Sequence, residues 1–215
     1  MWKMKKQYAF LRRIISFKEY PRYITDLYLK LIWSKIWKER GIIFGKGINW
    51  LGKPIMSIHK ESKIIIGDSC IICSRSSQTA LGVNHPVIIR TLRGNAILHI
   101  GSNVRMSGTT ICAAKQIVIG NRCVIGSNVT IADTDFHSLD PLIRSSLDDA
   151  SMASFKPVII GEDVFIGGGT TILKGVNIGK GAVIGAGSVI TSDIPPNSVA
   201  AGNPAKVIKY LTRSL

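Results

Sequence analysis

Four histidines occur in the 215-residue chain, at 59, 85, 99 and 137, and His137 stands out by its company. It lies in the stretch 132–157, which reads ADTDFHSLDPLIRSSLDDASMASFKP. Asp133, Asp135, His137 and Asp140 fall within eight positions there, and Asp148 and Asp149 follow. A neutral imidazole is a suited general base near neutral pH. A neighbouring carboxylate fixes its tautomer and raises its basicity. Local spacing does not tell whether Asp135 or Asp133 would reach the ring. His99 stands between Leu98 and Ile100 and reads as an outward residue of a strand. His59, beside Lys60 and Glu61, reads as surface, and His85 precedes Pro86 in a turn.

The four cysteines offer little chemistry. Cys70-x-x-Cys73 has no second pair to complete a metal site. Cys112 and Cys123 are the nearest candidates for a covalent nucleophile, and a nucleophile needs a base beside it. Cys123 and Cys70 occupy small inward slots of a repeat and read as structural. The chain shows no signal-peptide h-region, because Arg12 and Arg13 interrupt it, so reduced thiols and a cytoplasmic protein are expected.

The elements that would position His137 follow from that repeat. Ile160, Ile166, Ile172, Ile178, Ile184 and Ile190 recur every six residues. Gly follows at 161, 167, 179 and 185. Two residues before each Ile stands a small or β-branched residue: Val158, Val164, Thr170, Val176, Ala182, Ser188. An earlier array keeps the phase at Ile117, Ile119, Cys123, Ile125, Val129 and Ile131. A helix cannot hold period six on one face. A short strand followed by a turn can, because residues i and i+2 share a face. Gly is expected to supply the unusual φ of each corner. Six residues per side predict a three-sided solenoid of stacked parallel strands. The repeat stops between Ile131 and Val158, so 132–157 reads as a loop inserted in a solenoid, where function concentrates.

The chain resembles the hexapeptide-repeat acyltransferases over roughly residues 54–210. The tail Ile190-Thr-Ser-Asp-Ile-Pro-Pro-Asn-Ser-Val-Ala-Ala-Gly-Asn-Pro-Ala-Lys-Val-Ile208 is similar to the closing segment of the galactoside, maltose and polysaccharide O-acetyltransferases. The resemblance implies an all-β, left-handed parallel β-helix, a hand that periodicity alone does not reveal. Residues 1–53 read as a helical N-terminal segment outside the resemblance, and a short C-terminal helix is expected. The resemblance implies transfer of acetyl from acetyl-CoA to a sugar hydroxyl, with His137 of the motif Asp133-Thr-Asp-Phe-His137-Ser as base and Asp135 or Asp133 as orienting partner. It places the acetyl-CoA arm along Gly168, Ala186, Thr191 and Ser192, and the phosphates at Lys206 and Lys209, in a crevice between subunits of a homotrimer. Gly168 departs from the Ser often found at this place, so a side-chain hydrogen bond there is lost. Carbonic anhydrases of this fold use a His-x4-His pair plus a third His; the four His here lack that spacing, and no metal is expected.

Charge is uneven. The formal net charge is +15. Residues 1–53 hold 13 Lys or Arg against three acids, so +10 lies there and only +5 in the remaining 162 residues. Nine of the 15 aromatic residues fall in 1–40. Pro21 splits two helical stretches, and Ile24, Leu27, Tyr28, Leu31 and Ile32 form a stripe on the second. Gly41 sits where a helix would end. Such a segment suits the interface of an anionic membrane, with the protein peripheral on its inner face. Packing on the protein's own body or on a second subunit is the other reading. No nucleic-acid-binding signature accompanies the basicity, so nucleic acid is not an expected partner. The longest uncharged run, Ser76 to Ile89, is 14 residues, short of the about 20 a spanning helix needs.

Two functions remain open. One is an acetyl-CoA-dependent O-acetyltransferase whose acceptor is a sugar of a surface polysaccharide or its lipid-linked precursor. The other is a non-catalytic β-helix that scaffolds a partner or membrane through residues 1–53.

Overall fold

A computed structural model describes residues 34–212. The stripe at 24–32 and most of the basic segment lie outside the described residues. Within them the chain begins with a short helix, α1 (Ser34–Glu39), which ends at Gly41 with φ +90°. Gly is the residue that adopts this conformation without steric cost.

The chain then winds into a three-sided prism. The first coil holds β1 (Ile42–Phe44), β2 (Asn49–Leu51) and β3 (Ile55–Ser57). The second holds β4 (Lys63–Ile66), β5 (Ile71–Cys73) and β6 (Ile88–Thr91). The third holds β7 (Ile97–Ile100), β8 (Arg105–Ser107) and β9 (Thr110–Ala113), and the fourth β10 (Gln116–Ile119), β11 (Val124–Ser127) and β12 (Thr130–Ala132). After the 133–157 loop come β13 (Val158–Ile160), β14 (Phe165–Ile166) and β15 (Thr171–Ile172). The last coil holds β16 (Asn177–Ile178), β17 (Val183–Ile184) and β18 (Val189–Ile190). Every third strand pairs in parallel, giving sheets β1-β4-β7-β10-β13-β16, β3-β6-β9-β12-β15-β18, and one headed by β2-β5-β8-β11-β14-β17. Because β1 already pairs with β4, the prism starts at Ile42 rather than at residue 54, the boundary drawn from the sequence.

The period-six residues fill the interior. Ile160, Ile166, Ile172, Ile178, Ile184 and Ile190 are all buried, and so is each small residue two places before them. Where that slot is polar it is satisfied: Thr170 Oγ1 donates to the Gly167 carbonyl at 2.8 Å and Ser188 Oγ to the Gly185 carbonyl at 2.7 Å. Cys70 and Cys123 fill the same slot. In the first coil Trp37, Phe44 and Trp50 pack ring on ring, with centroids 5.3 to 6.0 Å apart.

The glycines after the repeat Ile have a different reason from the one expected. Gly161, Gly167, Gly179 and Gly185 are not among the residues of positive φ. Their corners stack so closely that a Cβ at Gly167 would lie 2.4 Å from the Ala186 nitrogen of the next coil. Positive φ instead falls two residues further on, at Gly169, Gly181 and Gly187, and at Asp163.

The expected C-terminal helix is absent. β19 (Ser198–Gly202) and β20 (Ala205–Tyr210) form an antiparallel hairpin on the edge of the second sheet, next to β17. Ala200 and Ala205 are buried within the hairpin, while Lys206, Ile208, Lys209 and Tyr210 are exposed. Gly202, at φ +107°, makes the reversal.

Candidate active site

The 133–157 loop leaves the prism at the corner between the third and first sheets. Its two ends run antiparallel, with Thr134 bridged to Phe155, the Asp135 N–H donating to the Ser154 carbonyl at 3.0 Å, and the Lys156 N–H to the Asp133 carbonyl at 2.8 Å. Its tip carries two single-turn helices, α2 (Pro141–Arg144) and α3 (Asp149–Met152). Asp140 caps α2 by accepting the Leu142 N–H at 2.8 Å, and Pro141 starts it.

His137 stands where the loop turns outward. Phe136, just before it, has φ +64°, and its N–H is held by Thr134 Oγ1 at 3.1 Å. A bulky residue in that conformation is rare and costs of order 1–3 kcal/mol, which the surroundings must sustain. The strain sits beside the candidate base.

The carboxylate at the His137 ring is Asp149. Its Oδ2 lies 2.5 Å from His137 Nδ1, and its Oδ1 accepts the Ser138 N–H at 2.7 Å. The His137 side chain is 68% exposed and that of Asp149 only 16%. The hydrogen bonds from His137 and the Ser138 N–H hold the Asp149 carboxyl below its ordinary range. An ionised carboxylate only accepts, so Nδ1 carries the proton, and Nε2 is the nitrogen left without that partner on a largely exposed side chain.

Neither expected partner meets that ring. Asp133 is fully buried and accepts three backbone N–H groups, from Ala114 at 2.6 Å and from Lys115 and Gln116 at 2.7 Å. It ties the root of the loop to the preceding turn. Asp135 pairs with Lys174, whose Nζ lies 2.6 and 2.5 Å from its two oxygens. That pair ties the loop to the next coil. Asp149 was hidden from local spacing because it lies 12 positions beyond His137 and is returned only by the fold of the loop tip.

The residues expected to line a cofactor separate into two places. Gly168 and Ala186 stack on the corner between the second and third sheets: the Gly187 N–H donates to the Gly168 carbonyl at 2.9 Å. Ala201 continues this column and is opposite Lys206 in the hairpin, while Lys209 is opposite Val199. Both lysines are exposed. At Gly168 a Cβ would come 3.1 Å from the Ser127 carbonyl oxygen, so the corner is tight for any side chain. Thr191 and Ser192 lie after β18, on the other corner, the one from which the 133–157 loop springs.

The remaining sequence candidates are quiet. His99 is exposed on β7 between buried Leu98 and Ile100. His59 is exposed, with Nδ1 2.7 Å from the Lys60 carbonyl, and His85 Nδ1 lies 2.8 Å from the Pro86 carbonyl. All four cysteines are free and buried. Burial raises the Cys112 thiol and pushes that of Cys123 up to about 11, which suppresses thiolate. Among the described residues no cluster of His, Cys, Asp and Glu could hold a metal ion. No helix among them is long and apolar enough to cross a membrane.

Known proteins share this architecture. A family model described as the hexapeptide repeat of succinyl-transferase matches residues 116–132 and 157–192. The galactoside O-acetyltransferase of Lactococcus lactis is 38% identical over 188 residues, spanning 84% of this chain and 82% of that protein. The galactoside O-acetyltransferase of Escherichia coli is 42% identical over 115 residues, 53% of this chain and 54% of that protein. The chain thus spans about half the length of several curated relatives it matches. A solved galactoside acetyltransferase in complex with coenzyme A is 27% identical, with a TM-score of 0.52 over 83% of this chain and 70% of that one. The chain belongs to the hexapeptide-repeat acyltransferase family, and its prism is the left-handed parallel β-helix of that family.

Proposed function

We propose that this chain is an acetyl-CoA-dependent O-acetyltransferase of the galactoside O-acetyltransferase kind. The observation that carries the reading is the His137–Asp149 pair, displayed on the only long interruption of the later repeat in a member of this family. His137 Nε2 removes the proton of an acceptor hydroxyl as its oxygen attacks the thioester carbonyl. The tetrahedral oxyanion collapses, the C–S bond breaks, and the imidazolium returns its proton to the CoA thiolate. No protein nucleophile takes part, in keeping with four buried, free thiols. Acetyl-CoA is the co-substrate, supported by the coenzyme A in the related galactoside acetyltransferase structure. The acceptor is a sugar hydroxyl, and we assign it to a surface polysaccharide or its lipid-linked precursor.

The working unit is a homotrimer in this reading. In one protomer the His137 loop and the Gly168–Ala186–Lys206 column stand on opposite edges of the third sheet. A neighbouring copy would bring one edge against the other and close a site incomplete in a single chain. The loop also exposes Phe136, Leu139, Leu142, Leu147 and Met152, apolar surface suited to burial against such a copy. Residues 1–40, basic and aromatic in composition, would bring the cytoplasmic enzyme to an anionic membrane where a lipid-linked acceptor resides.

The test is acceptor-dependent thiol release from acetyl-CoA across a panel of sugars and lipid-linked glycans. Release in the wild type and its loss in His137→Ala, with coenzyme A binding retained, is the expected result. Absence of both release and coenzyme A binding would replace the enzyme by a scaffold.

A further inference from the structure

We propose that Arg93 is a positioning residue that holds Asp149 against His137 from a separate coil. Arg93 stands in the turn between β6 and β7, on the same corner of the prism as the root of the 133–157 loop but two turns nearer the N-terminus. Its Nη2 donates to the carbonyl of Ala150 and, at 2.9 Å, to that of Ser151. Its guanidinium carbon lies 4.8 Å from the centroid of the Phe155 ring. One planar cation therefore grips the end of α3 and stacks on the returning strand of the loop.

The grip matters because little apolar anchors α3 besides Ala153, the buried residue that follows it. None of its residues is buried, Met152 is exposed, and Leu147 just before it is fully exposed. The helix carries Asp149 at its first position, and the carbonyls Arg93 takes belong to the next two residues. Carbonyls at a helix end lack partners within the helix and favour a cation. Lys174 restrains the outgoing strand through Asp135, whereas Arg93 restrains the returning one. The two halves of the His137–Asp149 pair are thus fixed from different coils. A lysine at 93 could neither bridge two carbonyls with one planar group nor stack as Arg does.

The kinetic part of the test rests on the proposed transferase reaction, and the spectroscopic part does not. Arg93→Ala is expected to lower kcat about tenfold to a hundredfold, the usual effect of a small misplacement, with KM for acetyl-CoA within about twofold; Arg93→Lys should fall between. Arg93 acts through Asp149, so Arg93→Ala/Asp149→Asn should be no slower than Asp149→Asn alone. Additive losses, or a rise in KM alone, would overturn the proposal. In parallel, the Asp149 carboxyl is titrated by carbon NMR in protein labelled at aspartate. Its midpoint should move up toward the ordinary carboxylate range in Arg93→Ala and stay put in Arg90→Ala, which removes an exposed charge from β6 of the same coil. An unchanged Asp149 titration in Arg93→Ala overturns the proposal even in a protein without transferase activity.

Discussion

At His137 the decisive atom is Nδ1. Asp149 holds its proton, which leaves Nε2 as the lone pair that could meet a hydroxyl. Asp149→Asn can instead donate to Nδ1 and hold the other tautomer. It should lower kcat by about 10²-fold or more while coenzyme A still binds, checked by steady-state kinetics and calorimetry. The pair also carries a pH dependence. Asp149 titrates lower in the folded chain than in the unfolded one. Its tie to the loop tip is therefore complete above the ordinary carboxylate range, near about 3.9. The tie is lost as pH falls through the lowered folded value. Amide exchange in residues 145–153 should rise across that acid window in the wild type, and show no such step in Asp149→Asn. His137 was legible as the candidate base from its acidic company and the motif around it. Its partner was not, because Asp133 and Asp135 are nearer in sequence yet bind the prism instead. Proximity along the chain favoured them, and a loop that doubles back favoured Asp149.

Among the elements, the corners set the tolerance of the prism. Gly167→Ala would force a Cβ to within 2.4 Å of backbone nitrogen in the next coil, and that nitrogen has no flexible end to yield. At Gly187 a Cβ meets nothing within 4 Å, and only its φ of +69° resists substitution. Gly187→Ala should therefore lower stability by about 1 kcal/mol. Gly167→Ala should lose more, about 2–3 kcal/mol, as read by denaturant unfolding of the two variants. Equal losses would contradict the stacking account. Asp133→Asn is a third element-level change. It replaces an acceptor of three buried N–H groups with an amide that turns N–H toward N–H, and should lower stability by about 1–3 kcal/mol. Period six revealed the strands and their inward residues down to single positions. It did not distinguish a glycine needed for close approach from one needed for positive φ, because both fall once per repeat. The closing hairpin was missed for a related reason: after Ile190 the repeat ends, and Lys206 to Tyr210, Lys-Val-Ile-Lys-Tyr, has no alternation that separates strand from helix end.

For the whole molecule, the prism separates the candidate base from the candidate cofactor corner by the width of a sheet. That separation motivates the trimer, and sedimentation equilibrium should give three times the chain mass. Substituting Leu142 and Leu147 by Ser should shift it toward monomer and reduce transferase rate with it. A wild type that stays monomeric at assay concentration would remove the shared site. Flotation with anionic liposomes, with and without residues 1–40, tests the membrane assignment; it predicts that only the full chain floats, and more weakly as salt rises. Fold class and family were plain from the repeat and the closing segment. Where the prism begins was not, since β1 and β2 precede the regular repeat and Ile42, Ile48 and Trp50 are inward without its Ile-Gly signature.

The most direct measurement is thiol release from acetyl-CoA by wild type and His137→Ala side by side, with the acceptor that gives the highest wild-type rate. A loss of about 10²- to 10⁴-fold in the variant, with unchanged unfolding and unchanged coenzyme A affinity, is the result predicted for a general base. A variant that keeps the wild-type rate would contradict the assignment of His137 and, with it, the site built around it.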